Sequence, residues 1–223
     1  MKNIRLIIVL YFFAAATISN AQRLDRFGAE TGSSNRNGSV HRLGYTDIKS
    51  YYGYIEPGSA PDMLSGGRFY YYLYFYISDT LPEVGIRMIA PVPELISPDK
   101  GDFASENYFA MEKEKSLSFN TWIELERAEQ IKSKEEISEK IDDATWKLLG
   151  FNDDAEEMFN KTNSLLRLKS NPREPLIPGL YRVAFTSSGK KEEVKGGFLI
   201  QVGSTVLLPG VKLTKQLEEL EAE

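Results

Sequence analysis

Apolar and polar positions alternate along much of this chain. In "GGRFYYYLYFYISD", residues 66 to 79, Phe69, Tyr71, Leu73, Phe75 and Ile77 fall on one face of an extended strand. Tyr70, Tyr72, Tyr74 and Tyr76 fall on the other. The first set is a core face. The second is a ladder of four tyrosines, with three candidate uses: the floor beneath a covering layer, an interface with a partner, or a stacking platform for a ligand. The covered layer leads, because tyrosine is a favoured strand residue and a sheet with helices outside it wants a semi-apolar outer face.

The two-residue period recurs. It predicts strands in "YYGYI" (51–55), closed by the turn-rich "EPGSAPD", in "EVGIRMIAP" (83–91), and in "FNTWIELER" (119–127). In the last, Trp122, Glu124 and Glu126 oppose Thr121, Ile123 and Leu125. "SLLRLK", "GLYRVAFTS" and "KGGFLIQVG" follow the same pattern. Tyr51, Tyr52 and Tyr54 extend the tyrosine ladder if their strand lies beside it, which the pattern leaves open. Helical signals are fewer. "SKEEISEKI" carries a capping box, Ser133 with Glu136; "DDAEEMFNK" (153–161) opens with two acids; a last helix starts at Thr214 and enters the acidic tail. Pro93 to Lys115 reads as irregular.

Strands that do not alternate with long helices argue against a parallel α/β sheet. The expected fold is all-β: an antiparallel sandwich over 45–213, with a helical insertion around 133–161 and an acidic tail at 214–223.

Composition narrows the functions. With 223 residues, 42% of them hydrophobic, the chain suits one sizeable domain. It has no cysteine, which excludes disulfides, zinc–thiolate sites, thiol catalysis and lipidation at a cysteine. Lys2 and Arg5, the apolar run Leu6 to Ile18 and the small residues Ser19 to Ala21 read as a signal peptide over 1–21. Residues 22–44, rich in Gly, Ser and Asn, read as a flexible arm. Without Lys2 and Arg5 the formal charge moves from −5 to −7, a poor balance for nucleic acid.

The single histidine, His41, lies in that arm, and no G-x-S-x-G, Walker A or G-x-G-x-x-G pattern is present. A non-enzymatic protein is expected. Hard oxygen donors for calcium remain: Asn120–Thr121, Asp142–Asp143 and Asn152–Asp153–Asp154.

Seven segments occur in one order: "YYGYIEPGSAPD", "YYLY", "EVGIRMIAP", "FNTWIELER", "FNKTNSLLRLK", "GLYRVAFTS" and "EVKGGFLIQVG". Together, over roughly Tyr51 to Val211, they resemble the major outer-membrane lipoprotein family of the leptospiral spirochaetes. The resemblance implies a jelly-roll β-sandwich with peripheral helices. It also implies a non-enzymatic surface protein that binds calcium and adheres to matrix proteins such as laminin, collagen and fibronectin. The family's calcium ligands carry over only in part. The Asp–Thr pair of an F-D-T-W segment becomes Asn120 and Thr121, and the tyrosine before N-S-L becomes Thr162. The aspartate run is reduced to Asp142–Asp143 and Asp153–Asp154.

Fewer anionic ligands imply weak calcium. The family's lipidated cysteine has no counterpart in "SNAQ", so the resemblance implies an exported protein, periplasmic, secreted or outer-membrane-associated, without that anchor. Candidate partner residues are Tyr70, Tyr72, Tyr74 and Tyr76, facing a protein partner or a second copy. The alternatives are a carbohydrate-binding module on the tyrosine face, which needs several rings open together and is excluded if Pro93 to Lys115 covers them, and a structural envelope protein without a small ligand.

Overall fold

A computed structural model describes residues 27–33, 40–94, 96–110, 117–153 and 163–221. The expected signal peptide, Asp154, Thr162 and the body of the helix expected over 153–161 lie outside the described residues. The described strands are β1 (Gly28–Ser33), β2 (Val40–Gly44), β3 (Asp47–Ile55), β4 (Met63–Ser65), β5 (Arg68–Ile77) and β6 (Glu83–Ile89). They continue with β7 (Phe103–Ala104), β8 (Thr121–Ala128), β9 (Trp146–Asp153), β10 (Asn163–Lys169), β11 (Gly179–Ser187) and β12 (Gly196–Ser204).

Ten of these strands form two five-stranded sheets, ordered β10-β6-β12-β3-β7 and β4-β5-β11-β8-β9. Every pairing within them is antiparallel except β3 with β7. The expected all-β sandwich is present. Its core takes the inward half of each alternating pattern: Leu73, Phe75, Ile123, Leu125, Val183 and Phe185 from one sheet meet Ile86, Met88, Phe198, Ile200 and Val202 from the other. Phe185 and Phe198 touch across the sheets with ring centroids 4.8 Å apart. Each buried aromatic of this kind contributes roughly 2–3 kcal/mol by burial.

Part of the stretch read as a flexible arm is paired structure. β1 and β2 form a hairpin, with Gly28 opposite Gly44 and Ser33 opposite Val40. The hairpin lies over the outer face of the first sheet, and the reason is a notch. Gly85 and Gly203 face each other across β6 and β12. A Cβ at Gly85 would stand 2.4 Å from the Tyr45 ring, and one at Gly203 would stand 2.5 Å from it. Tyr45 fills this notch and donates its hydroxyl to the buried Glu83 Oε1 at 2.8 Å. Phe27 meets the Tyr45 ring edge-on at 4.8 Å. β6 is therefore buried along its whole length, although Glu83 and Arg87 are charged.

The helical expectations change in detail. Lys134–Glu136 is a single 3₁₀ turn leading into a helix at Ile137–Lys140. Ser133 makes no side-chain cap; Glu136 instead accepts the Lys132 N–H at 2.9 Å and the Lys140 ammonium at 2.6 Å. Asp153 ends strand β9 rather than opening a helix. Thr214 does not start the last helix, because its N–H and C=O are bonded to Tyr74 on the edge of β5; the helix begins at Glu218. The stretch read as irregular holds β7 and a helix at Glu106–Ala110.

Candidate functional site

The outer face of the β4-β5-β11-β8-β9 sheet carries the tyrosine ladder. Register places Leu180 beside Tyr76, Arg182 beside Tyr74 and Ala184 beside Tyr72. On the far side of β11, Glu126 lies beside Arg182, Glu124 beside Ala184 and Trp122 beside Thr186. The Arg182 guanidinium stacks 4.0 Å from the Tyr72 ring centroid and 4.1 Å from that of Trp146, and its Nε donates to Glu126 Oε2 at 2.5 Å. This planar, charged plug lies over the middle of the ladder.

Tyr76 is buried with Ile131, Ile137, Leu180 and Leu220, and its hydroxyl donates to the Lys132 carbonyl at 2.6 Å. Tyr72 is buried and reaches Met63 Sδ at 3.1 Å. Tyr74, packed 6.0 Å from Trp146, and Tyr70, donating to Glu124 Oε1 at 3.2 Å, are half-buried. Desolvation disfavours the phenolate and raises the pKa of all four hydroxyls above the ordinary tyrosine value.

Among the described residues the cover is not drawn from Pro93 to Ala110. It comes from the residues around Ile131 to Trp146 and from Leu217 and Leu220 of the C-terminal segment. The described residues of that stretch, 93–94 and 96–110, pack on the other sheet, where Tyr108 lies 5.4 Å from Tyr52 beside Ile89, Val92 and Leu199. Tyr51, Tyr52 and Tyr54 do not extend the ladder, since β3 belongs to that other sheet; Tyr51 faces the core. With Tyr72 and Tyr76 buried and Tyr70 and Tyr74 half-buried, the face does not present several rings open together, as a sugar platform requires.

The open aromatic surface lies two and three strands further along the sheet, on β8 and β9. Trp122 and Phe151 stack with centroids 5.5 Å apart and planes 2° from parallel. Phe151 is 58% exposed, with Leu148 on the same strand 46% exposed. Arg68 lies 4.7 Å over the Trp122 ring, and the indole N–H donates to Glu124 Oε1 at 3.0 Å. Sequence reading missed Phe151 because it missed β9. A bulge breaks the pairing between Leu125 and Glu126, so Leu149 and Phe151 do not follow strict alternation along "WKLLGFND". The β-rich run "WKLLGF" was the available signal.

The residues proposed for calcium separate into two places. Asp142 and Asp143 are exposed in the turn before β9. Asp153 lies at the other end of that strand, its backbone paired with Trp122. Seven steps of a strand, roughly 23 Å, lie between Trp146 and Asp153, so Asp142 and Asp143 do not share a site with Asp153. Asn120 and Thr121 do lie at the Asp153 end. Thr121 is fully buried; its hydroxyl lies 2.6 Å from that of Ser164, which also donates to the Thr121 carbonyl at 2.9 Å. Next to Ser164, the Oδ1 of Asn163 is buried and has no hydrogen-bond partner among the described residues. Asn163 was not singled out in the sequence, though it follows Thr162 directly. Among the described residues no three His, Cys, Asp or Glu side chains converge as a metal cage. The donors here are neutral amides and hydroxyls, with Asp153 and Asp154 adjoining in sequence. That set suits a hard cation held weakly.

The family model described as surface lipoprotein of the Spirochaetales order matches residues 39–213, well over half of the chain. No curated protein matches it.

Proposed function

The chain belongs to the family of Spirochaetales surface lipoproteins, and on that premise we propose that it is an exported, non-enzymatic surface protein that binds protein partners. The observation that carries this reading is the Trp122–Phe151 stack, half of it exposed, on a sheet held rigid by the Arg182 plug. Tryptophan, tyrosine and arginine dominate the energetics of protein interfaces, and here Arg68 and the exposed Phe151 both pack on the Trp122 ring, whose N–H shares Glu124 Oε1 with the Tyr70 hydroxyl. The partner class is the one the sequence resemblance implies, matrix proteins of the laminin, collagen or fibronectin kind.

Solid-phase binding of those three proteins to the full chain and to Phe151→Ser tests the reading. Saturable binding to at least one, weakened about tenfold by the substitution, is expected for the loss of an interface anchor. Binding that is absent for all three, or indifferent to Phe151→Ser, refutes it.

Weak calcium binding is the finer part of the proposal, supported by the Thr121–Ser164 hydroxyl pair at the Asp153 end of β9 and by the buried, unpartnered Oδ1 of Asn163, the residue before Ser164. A calcium titration followed by thermal melting, with magnesium as control, should raise the midpoint by mass action. The rise should vanish in Asn163→Ala or Asp153→Asn and survive in Asp142→Asn with Asp143→Asn, because those two lie at the other end of β9. No rise up to about 10 mM, beyond the range of weak extracellular modules, removes calcium from the function.

A further inference from the structure

We infer that the cleft between β7 and the C-terminal segment takes a short extended peptide with free ends. The cleft encloses about 800 Å³, within the range of small-ligand sites, and lies at the edge of the sandwich opposite β9 and its Phe151. It opens where the two sheets part. β7 is the last strand of the first sheet, and Thr214 is bridged to Tyr74 on β5 of the second.

Both walls are strand edges. The Ser105 N–H donates to the Tyr52 carbonyl at 2.9 Å, so Ala104, one step earlier, turns its own N–H and C=O away from β3. On the other wall the Tyr74 N–H donates to the Thr214 carbonyl at 2.7 Å, and the Thr214 N–H donates to the Tyr74 carbonyl at 3.0 Å. The flanking Leu213 and Lys215 therefore turn their backbone groups away from β5. Ala104, Leu213 and Lys215 all line the cleft. Strand edges with no further strand beside them receive an extended chain, whose main-chain N–H and C=O groups supply the affinity.

Charge selects the length. Lys212 pairs with Glu219 at 3.1 Å, whereas Lys215 makes no ion pair among the described residues; its Nζ lies 5.4 Å from the Tyr71 ring centroid. That ammonium is the receiver for a carboxylate. Asp102 and Glu106 belong to the wall that carries Ala104, and they suit an ammonium. One cationic and one anionic wall fit a ligand that carries both charges. A peptide of three residues spans about 10 Å and has an ammonium at one end and a carboxylate at the other. The middle of a long chain offers neither.

The test is a calorimetric titration of the full 223-residue chain with trialanine, its N-acetyl form, its C-terminal amide and the doubly blocked peptide. Trialanine should bind saturably, and blocking either end should weaken it about five- to tenfold, the loss of one charge-assisted contact. Lys215→Met should bring the free acid and the amide to the same affinity while the N-acetyl form stays weaker. Three results overturn the inference: no binding of trialanine up to about 10 mM, a doubly blocked peptide that binds as well as trialanine, or a preference for the free acid that survives Lys215→Met. Acetate that displaces trialanine completely at equal concentration assigns the cleft to a simple anion, and overturns it too.

Discussion

Replacing Gly85 with alanine should detach the hairpin that covers the first sheet. The new methyl would sit 2.4 Å from Cε2 and Oη of Tyr45, where no real Cβ contact is found. Tyr45 cannot slide toward Gly203 to escape, because it already fills the space over Gly203 and the Phe27 ring bounds that space. The ring must leave. Two contributions go with it. Burial of the tyrosine is worth about 2 kcal/mol, and its hydrogen bond to the buried Glu83 carboxylate about 1.5–3 kcal/mol. The expected loss is therefore roughly 3–5 kcal/mol, or about 10 °C in melting temperature for a domain of this size.

The assay is a thermal melt of four proteins: wild type, Gly85→Ala, Tyr45→Ala and the double variant, with hydrogen exchange at Gly28–Ser33 and Val40–Gly44 as the local readout. In the Tyr45→Ala background the notch is empty, so Gly85→Ala should be neutral or stabilise by about 0.5–1 kcal/mol, as alanine does in an ordinary strand. A Gly85→Ala melt within about 2 °C of wild type, or an equal penalty in both backgrounds, would refute the steric argument.

Two further predictions concern the covered ladder and the tyrosines. Arg182→Met removes two ring stacks and leaves Glu126, 15% exposed, without its partner, so a loss of about 3 kcal/mol is expected in urea unfolding. A cycle with Glu126→Gln should show coupling of about 1–3 kcal/mol; a loss near the 0.5 kcal/mol of an ordinary surface change would show that the plug is not built as described. Burial first, then Asp102, pushes the Tyr52 hydroxyl up to about 12, and burial raises Tyr51, Tyr71 and Tyr181 as well. A raised folded value keeps the full stability below the unfolded value near 10 and loses it as pH climbs through the folded one. The urea midpoint should thus be flat below about pH 9 and fall between about 10 and 12, with tyrosinate absorbance appearing alongside unfolding; tyrosinate that forms near pH 10 in folded protein would contradict it.

Local alternation was legible from the chain alone because a strand sends successive side chains to opposite faces whatever lies beside it. β5, β6, β8, β11 and β12 follow from that rule, and so does the division of β8 into Thr121, Ile123 and Leu125 inward and Trp122, Glu124 and Glu126 outward. The choice of neighbour did not follow. Backbone ladders bond alike for every residue, so nothing in "YYGYI" states that β3 pairs with β12 rather than with β5. That long-range choice sent Tyr52 and Tyr54 to the other sheet, placed Leu217, Leu220 and Ile137 over the ladder, and left Phe151 as the open ring. It also set Asp142 before one end of a strand and Asp153 at the other, where the sequence had left open which aspartate pair belongs with Asn120 and Thr121. The hairpin over the first sheet shows the same division: its glycines and polar residues read as a flexible arm, and only the Gly85–Gly203 notch, made by two strands more than a hundred residues apart, gives Tyr45 a place to bind it down.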